Sequence, residues 1–331
     1  TDTATATIRI TGVNDPPVAV ANTITVDIAG TATTVVENGG SSSVLTNDTD
    51  PDAGEAIKEA DLVSGPSNHD VGMAGLFTLN TNGTFSYTHD GSGALSDSFT
   101  YRVWDGTAYS GNATVTITVS NTAPTAVNDN PLVAIDEGAT FMNIDVLGND
   151  TDPETSVTAV VPGSIGNEVG GFATIEADNT ITFEHDGSET RPASFTYRST
   201  DGFLESNNAT VTININPVND PPVIGDVADF SATEGDMLNL NPGVMDPDNT
   251  NNGVDPVTGG GTDLVWSIVS VPASIAADFM LSSTGDITWN IPLGPPAVFN
   301  QMYPIEIQVT DGEFTSSDTF TITVNPPDRD M

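Results

Sequence analysis

The chain has no cysteine, so neither a disulfide framework nor a thiolate metal site is open to it. That leaves the compartment undecided, because oxidising compartments permit disulfides without requiring them. Positive charge is nearly as scarce: 6 Lys and Arg stand against 46 Asp and Glu, a formal net charge of −40. Such a surface excludes nucleic acid and anionic membrane as partners, because both need a basic stripe to neutralise phosphate. No apolar run approaches the about 18 residues of a spanning helix, and the helical spacing of three and four is nowhere sustained. Catalytic signals are missing too. There is no Gly-x-Ser-x-Gly elbow to seat a nucleophile, and His69, His89 and His185 are scattered rather than grouped as a ligand set. No secretory leader is visible; Thr1-Asp2-Thr3-Ala4 already reads as strand, which places the start inside something longer.

What is present is a repeat. The alternating run 209–215 is followed by Asn216-Pro217-Val218-Asn219-Asp220-Pro221-Pro222. There a strand ends and two prolines hold the chain extended. The same grammar recurs at Val13-Asn14-Asp15-Pro16-Pro17 after 4–10, at Asn121-Thr122-Ala123-Pro124 after 113–119, and at Val324-Asn325-Pro326-Pro327. These joints fall about 100 residues apart, the size of one small domain. They divide the chain into 1–13 (a closing strand and linker), 14–121, 122–219 and 220–331.

Each unit carries short alternating strands with turn signals every 8 to 12 residues, which argues an all-β, immunoglobulin-like antiparallel sandwich, repeated in an elongated array. The hairpin around Asn82-Gly83 and the pairing of 97–104 with 113–119 across Asp105-Gly106 are the clearest signals in the first unit. Asn249 to Thr262 reads as a Gly/Asn-rich insertion in the third. Trp104, Trp266 and Trp289 sit in alternating patterns that suit packing better than sugar stacking.

Three acidic clusters recur: a Glu in the first loop (Glu37, Glu137, Glu234), an Asp-x-Asp loop (Asp50/Asp52, Asp150/Asp152, Asp246/Asp248), and an Asp-Gly after the penultimate strand (Asp105, Asp201, Asp311). Any one of them alone suits a tight turn, since Asp and Gly tolerate left-handed backbone and Asp bonds its own main chain. Their recurrence in register favours hard-oxygen coordination of Ca²⁺, whose charge reverses the repulsion among converging carboxylates.

The stretch 200–222, with Thr200-Asp201-Gly202 and Val218-Asn219-Asp220-Pro221-Pro222, resembles the end of a cadherin repeat and its linker. Residues 14 to 219 resemble the cadherin-like and VCBS-type repeats of large secreted bacterial proteins, through Asn-Asp-Thr-Asp-Pro, the His-Asp-Gly-Ser at 89–92 and 185–188, and Ser-Phe-Thr-Tyr-Arg. The third unit resembles a dystroglycan-type cadherin domain, in Thr284-Gly285-Asp286-Ile287-Thr288-Trp289. The resemblance implies Ca²⁺ at the joints. At the last joint it implies Glu137, Asn219, Asp220, Asp246, Asp248 and Asp311; at the first, Asn14, Asp15, Asp50, Asp52 and Asp105. The middle joint departs, with Asn121-Thr122 in place of Asn-Asp, and would use Glu37, Asp150, Asp152 and Asp201. The Asp-Arg-Glu element of animal cadherins is missing, which implies fewer ions per joint than those proteins hold.

The leading expectation is a non-enzymatic, calcium-stiffened extracellular stalk or adhesin segment. Its partners would be neighbouring repeats of the same protein and surface glycans or proteins. The alternatives are a filament subunit assembled from identical copies by β-strand addition, and a carbohydrate-binding module of a secreted enzyme. The run 4–10 separates the first two: it is either the closing strand of a preceding repeat or a strand inserted into a neighbouring subunit.

Overall fold

The computed structural model describes residues 3–8, 12–52, 57, 59–69, 77–130, 133–248, 264–293 and 301–326. The first unit contains β1 (Asn22–Asp27), β2 (Thr31–Ala32), β3 (Glu59–Ser64), β4 (Phe77–Leu79), β5 (Phe85–Thr88), β6 (Ser96–Trp104) and β7 (Ala113–Ser120). One sheet has the order β1-β7-β6-β3 and the other β2-β5-β4. In β7 every Ala, Val and Ile of Ala113-Thr-Val-Thr-Ile-Thr-Val119 is buried and every Thr between them is exposed, the period-two outcome of a half-buried strand. Pairing is antiparallel except at the edge, where β1 runs parallel to β7.

The second unit continues with β8 (Ile135–Asp136), β9 (Thr140–Ile144), β10 (Ala159–Val160), β11 (Gly166–Val169), β12 (Gly171–Ile175), β13 (Ile181–His185), β14 (Ala193–Tyr197), β15 (Ser199–Thr200), β16 (Ala209–Ile213) and β17 (Ile215–Asn216). Its two main sheets are β11-β14-β16 and β12-β13-β9, and β17 lies parallel to β8. The third unit holds β18 (Val223–Ile224), β19 (Phe230–Thr233), β20 (Met237–Leu240), β21 (Val244–Met245), β22 (Val265–Ser270), β23 (Phe279–Leu281), β24 (Ile287–Asn290), β25 (Gln301–Thr310) and β26 (Thr315–Asn325). It repeats the plan as β19-β26-β25-β22 against β20-β24-β23.

Three separate apolar clusters result, centred on Tyr87, Phe99 and Tyr101, on Phe183, Phe195 and Tyr197, and on Trp289, Ile305 and Phe320. In the first two a buried tyrosine ties the sheets to the acidic loop. Tyr101 Oη donates toward Asp48 at 3.1 Å, and Tyr197 Oη toward Asp150 at 3.1 Å. Trp289 is buried with its ring edge-on to Tyr303, whereas Trp104 packs on the exposed Tyr109 ring, centroids 4.6 Å apart. The insertion 249–262 lies outside the described residues. So do Arg9 and Ile10; of the rest of the run 4–10, Ala4 to Ile8 form no strand, and Ile8 is exposed. No helix among the described residues is long and apolar enough to cross a membrane.

Candidate metal centres at the joints

The last joint draws on both units it connects. Glu137 stands in the turn after β8, where Gly138 at φ +70° permits the reversal, and its N–H donates to Asn216 O at 2.9 Å. Glu189 comes from the loop between β13 and β14, which His185 pins. The His185 Nδ1 accepts from the Gly138 N–H at 3.1 Å and the Gly187 N–H at 3.2 Å. The proton therefore sits on Nε2, 3.4 Å from Thr190 O. From the other side, Asn219 Nδ2 donates to Asp311 Oδ2 at 3.0 Å, and the Asp220 N–H donates to Asp248 Oδ2 at 2.5 Å. The Asp248 N–H in turn donates to Asp246 Oδ1 at 3.2 Å. These bonds aim the linker carboxylate back at the second unit. Carboxylate oxygens of Glu137, Glu189 and Asp220 lie within 4.8 Å of one another.

Electrostatics at this point are unfavourable to bare carboxylates. Burial, then repulsion from Glu137, Asp248 and Asp220, pushes the Glu189 carboxyl up to about 7, although Arg191 pairs with it. Asp246 is raised by burial and by Asp248, Asp311 and Asp220. Glu137 Oε1 and Glu189 Oε1 are both shielded from solvent with no hydrogen-bond partner. Two orphaned anionic oxygens of the second unit, met by the Asp220 carboxylate from the linker, are what a hard divalent cation satisfies, and Ca²⁺ takes about six to eight such oxygens. The residues present fit it.

The first joint repeats the receiving half of this arrangement bond for bond. Asn14 Nδ2 donates to Asp105 Oδ2 at 3.1 Å, the Asp15 N–H to Asp52 Oδ2 at 2.7 Å, and the Asp52 N–H to Asp50 Oδ1 at 2.8 Å. Asp50 Oδ2 is shielded and unpartnered.

At the middle joint Asn121 Nδ2 donates to Asp201 Oδ2 at 2.8 Å. The acid that meets the linker is Glu154: it accepts from the Thr122 N–H at 3.3 Å and from Thr122 Oγ1 at 2.7 Å, and its own N–H donates to Asp152 Oδ1 at 3.0 Å. Two expected positions are not brought there. Asp150 accepts from the Val127 N–H at 2.9 Å and from Tyr197 Oη, the part that Asp48 plays with the Val20 N–H and Tyr101. The working pair is thus Asp152/Glu154, one step along. Glu37 lies in a 3₁₀ turn and accepts from the Thr23 N–H at 2.9 Å, at the start of β1, whereas the end of that strand, Asp27, pairs with Ser120 beside the joint. Glu154 and Glu189 are the residues that sequence reasoning missed. Aligning Asn47-Asp48-Thr49-Asp50-Pro51 on Asn149-Asp150-Thr151-Asp152-Pro153 signals the first, whereas nothing in the sequence signals the second, since the same spacing from His89 falls on Gly93.

The model of the bacterial cadherin-like domain matches residues 14–120 and again 121–217. The chain belongs to the bacterial cadherin-like family. No curated protein matches the chain. Among solved structures, the human desmocollin-1 ectodomain is similar at 13% identity and TM-score 0.39, over 95% of this chain and 62% of that one. Mouse cadherin-23 EC22-24 is similar at 15% identity and TM-score 0.41, over 95% of this chain and 99% of that one. An endo-fucoidan hydrolase of glycoside hydrolase family 107 is similar at 14% identity and TM-score 0.28, over 82% of this chain and 39% of that one. The chain thus spans less than two thirds of the desmocollin ectodomain. The match gives two bacterial cadherin-like units in tandem, and no catalytic family is indicated.

Proposed function

We propose that this bacterial cadherin-like chain is a segment of an extracellular stalk of adhesion type, in which Ca²⁺ fixes the angle between the second and third units. The observation that carries this reading is the convergence of Glu137 and Glu189 from one unit with Asp220 from the linker to the next, within 4.8 Å. Glu137, Glu189, Asp220, Asp246, Asp248 and Asp311 would hold the ion, with Asn219 orienting Asp311. At the first joint Asn14, Asp15, Asp50, Asp52 and Asp105 form the receiving half for an ion shared with a preceding repeat. What the ion supplies is charge neutralisation. Bound across the joint, it turns mutual repulsion of carboxylates into a shared attachment, and the two sandwiches move as one body. The immediate partners are neighbouring repeats of the same protein, and the target carried at the far end is a surface glycan or protein.

Small-angle scattering in calcium and in chelator tests the reading. The expected result is a longer maximum dimension and lower flexibility with calcium, and an unchanged profile would overturn it.

A further inference from the structure

The middle joint lacks, position for position, the acids that make the last joint a cation site. Backbone bonds establish the correspondence. The Ile28 N–H donates to Ser120 O at 2.8 Å as the Glu137 N–H donates to Asn216 O. The next residue, Ala29, donates its N–H to His89 Nδ1 at 3.4 Å as Gly138 does to His185. Ile28 therefore occupies the Glu137 position, and its side chain is in the core. Gly93 follows His89 at the spacing by which Glu189 follows His185, and Thr122 follows Asn121 as Asp220 follows Asn219. In the Asp-Gly loop, the Phe203 N–H donates to Asp201 Oδ1 at 2.7 Å as the Glu313 N–H does to Asp311 Oδ1. Phe203 is thus the counterpart of Glu313. Glu137, Glu189 and Asp220 have become Ile28, Gly93 and Thr122, and Phe203 stands where the exposed Glu313 does.

The substitutions fit one another. The edge of the Phe203 ring lies so close over Gly93 that a Cβ there would stand 2.9 and 3.0 Å from two ring carbons, so the glycine is what lets the ring seat. Asp152, Glu154 and Asp201 remain on the second unit; on the first, Asp27 accepts from Ser120 Oγ at 2.6 Å and Asp90 from the Ser92 N–H at 2.9 Å, and among the described residues no group of three converging acids spans this joint as one does at the last. Glu154 is already satisfied by both donors of Thr122. Asp152 Oδ2 is shielded and unpartnered, but an ion held there alone would not span the joint.

We propose that the two joints differ in kind: the first and second units are coupled by a packing contact, Phe203 on Gly93, that does not depend on cation, while the second and third are coupled through one. The contrast rests on the cation reading of the last joint; the Phe203 contact does not. Because the chain has no cysteine, spin labels can be placed freely. Exposed Thr116→Cys with Thr174→Cys spans the middle joint, and Thr174→Cys with Ser317→Cys spans the last. Electron-electron distance distributions are then measured in calcium and in chelator. The first pair is expected to keep its distribution in both, and the second to broaden and shift in chelator. Phe203→Ser, at a half-exposed position, is expected to broaden the first pair in both buffers and leave the second alone. Broadening of the first pair by chelator in the unmodified joint, or indifference of that pair to Phe203→Ser, overturns the packing contact. Indifference of the second pair to chelator overturns the cation reading instead.

Discussion

The Gly138 N–H donates to His185 Nδ1 at 3.1 Å, and this bond ties the turn that presents Glu137 to the loop that presents Glu189. One neutral, buried imidazole accepts from two backbone N–H groups, so it holds two candidate ligands at a fixed spacing without touching either. His89 makes the equivalent bonds in the first unit, to the Ala29 and Gly91 N–H groups. There Gly93 stands at the spacing of Glu189. The histidine is part of the sandwich's construction, and the acids are added to it.

Replacing His185 by leucine should therefore weaken calcium binding although the ligands remain. It leaves the Gly138 and Gly187 N–H groups short of an acceptor, at a cost of roughly 1–3 kcal/mol for each one that stays buried. Calorimetric titration with calcium, alongside thermal unfolding, measures both effects. Undiminished affinity in a folded variant would show that the spacing is set by other contacts.

Glu189→Gln and Glu137→Gln should each weaken calcium binding by roughly tenfold or more, about 1.4 kcal/mol per tenfold. Glu37→Gln and Asp150→Asn should leave it unchanged at the last joint, because neither carboxylate is placed there. Titration of the four variants separates them, and equal losses would point to long-range charge instead of ligation.

The pH dependence follows from Glu189. Its folded-state value, about 7 without cation, lies above the ordinary carboxyl value of 4.5. A raised value stabilises the fold below the ordinary value, and that contribution is lost as pH rises through about 7. The cation-free protein should thus lose stability between pH 5 and about 8, and calcium should reverse the trend by displacing the proton. Carbon-13 chemical shifts of the Glu189 carboxyl, with and without calcium, read this directly; titration near 4.5 in chelator would contradict it.

Phe195 stacks on Phe183 at 5.9 Å inside the second core. Phe195→Ala should cost about 3–5 kcal/mol and lower only one unfolding transition, because the three apolar clusters are separate. A calorimetric scan in chelator in which every transition falls together would contradict that separation.

Much of this was legible in the residues. Period-two strands such as 113–119 announce their buried face, and the Asn82-Gly83 turn announces its hairpin, with Gly83 at φ +78°. The Asn-Asp linker and the Asp-Gly loop were legible as well, since local spacing fixes which backbone groups an Asp can reach. The rest depended on register between distant strands. That Ile28 stands where Glu137 stands is visible only from the parallel pairing of the first strand with the last, because the two stretches share no motif. Glu189 was hidden for a related reason: its role comes from a loop that His185 folds toward the joint, and a lone Glu after Asp-Gly-Ser reads as an ordinary surface turn.

The most direct measurement is an anomalous difference map from crystals grown in calcium. The account predicts a calcium peak between the second and third units, bonded by Glu137, Glu189 and Asp220; those carboxylates found in direct contact with solvent or with basic side chains, with no peak between them at saturating calcium, would contradict it.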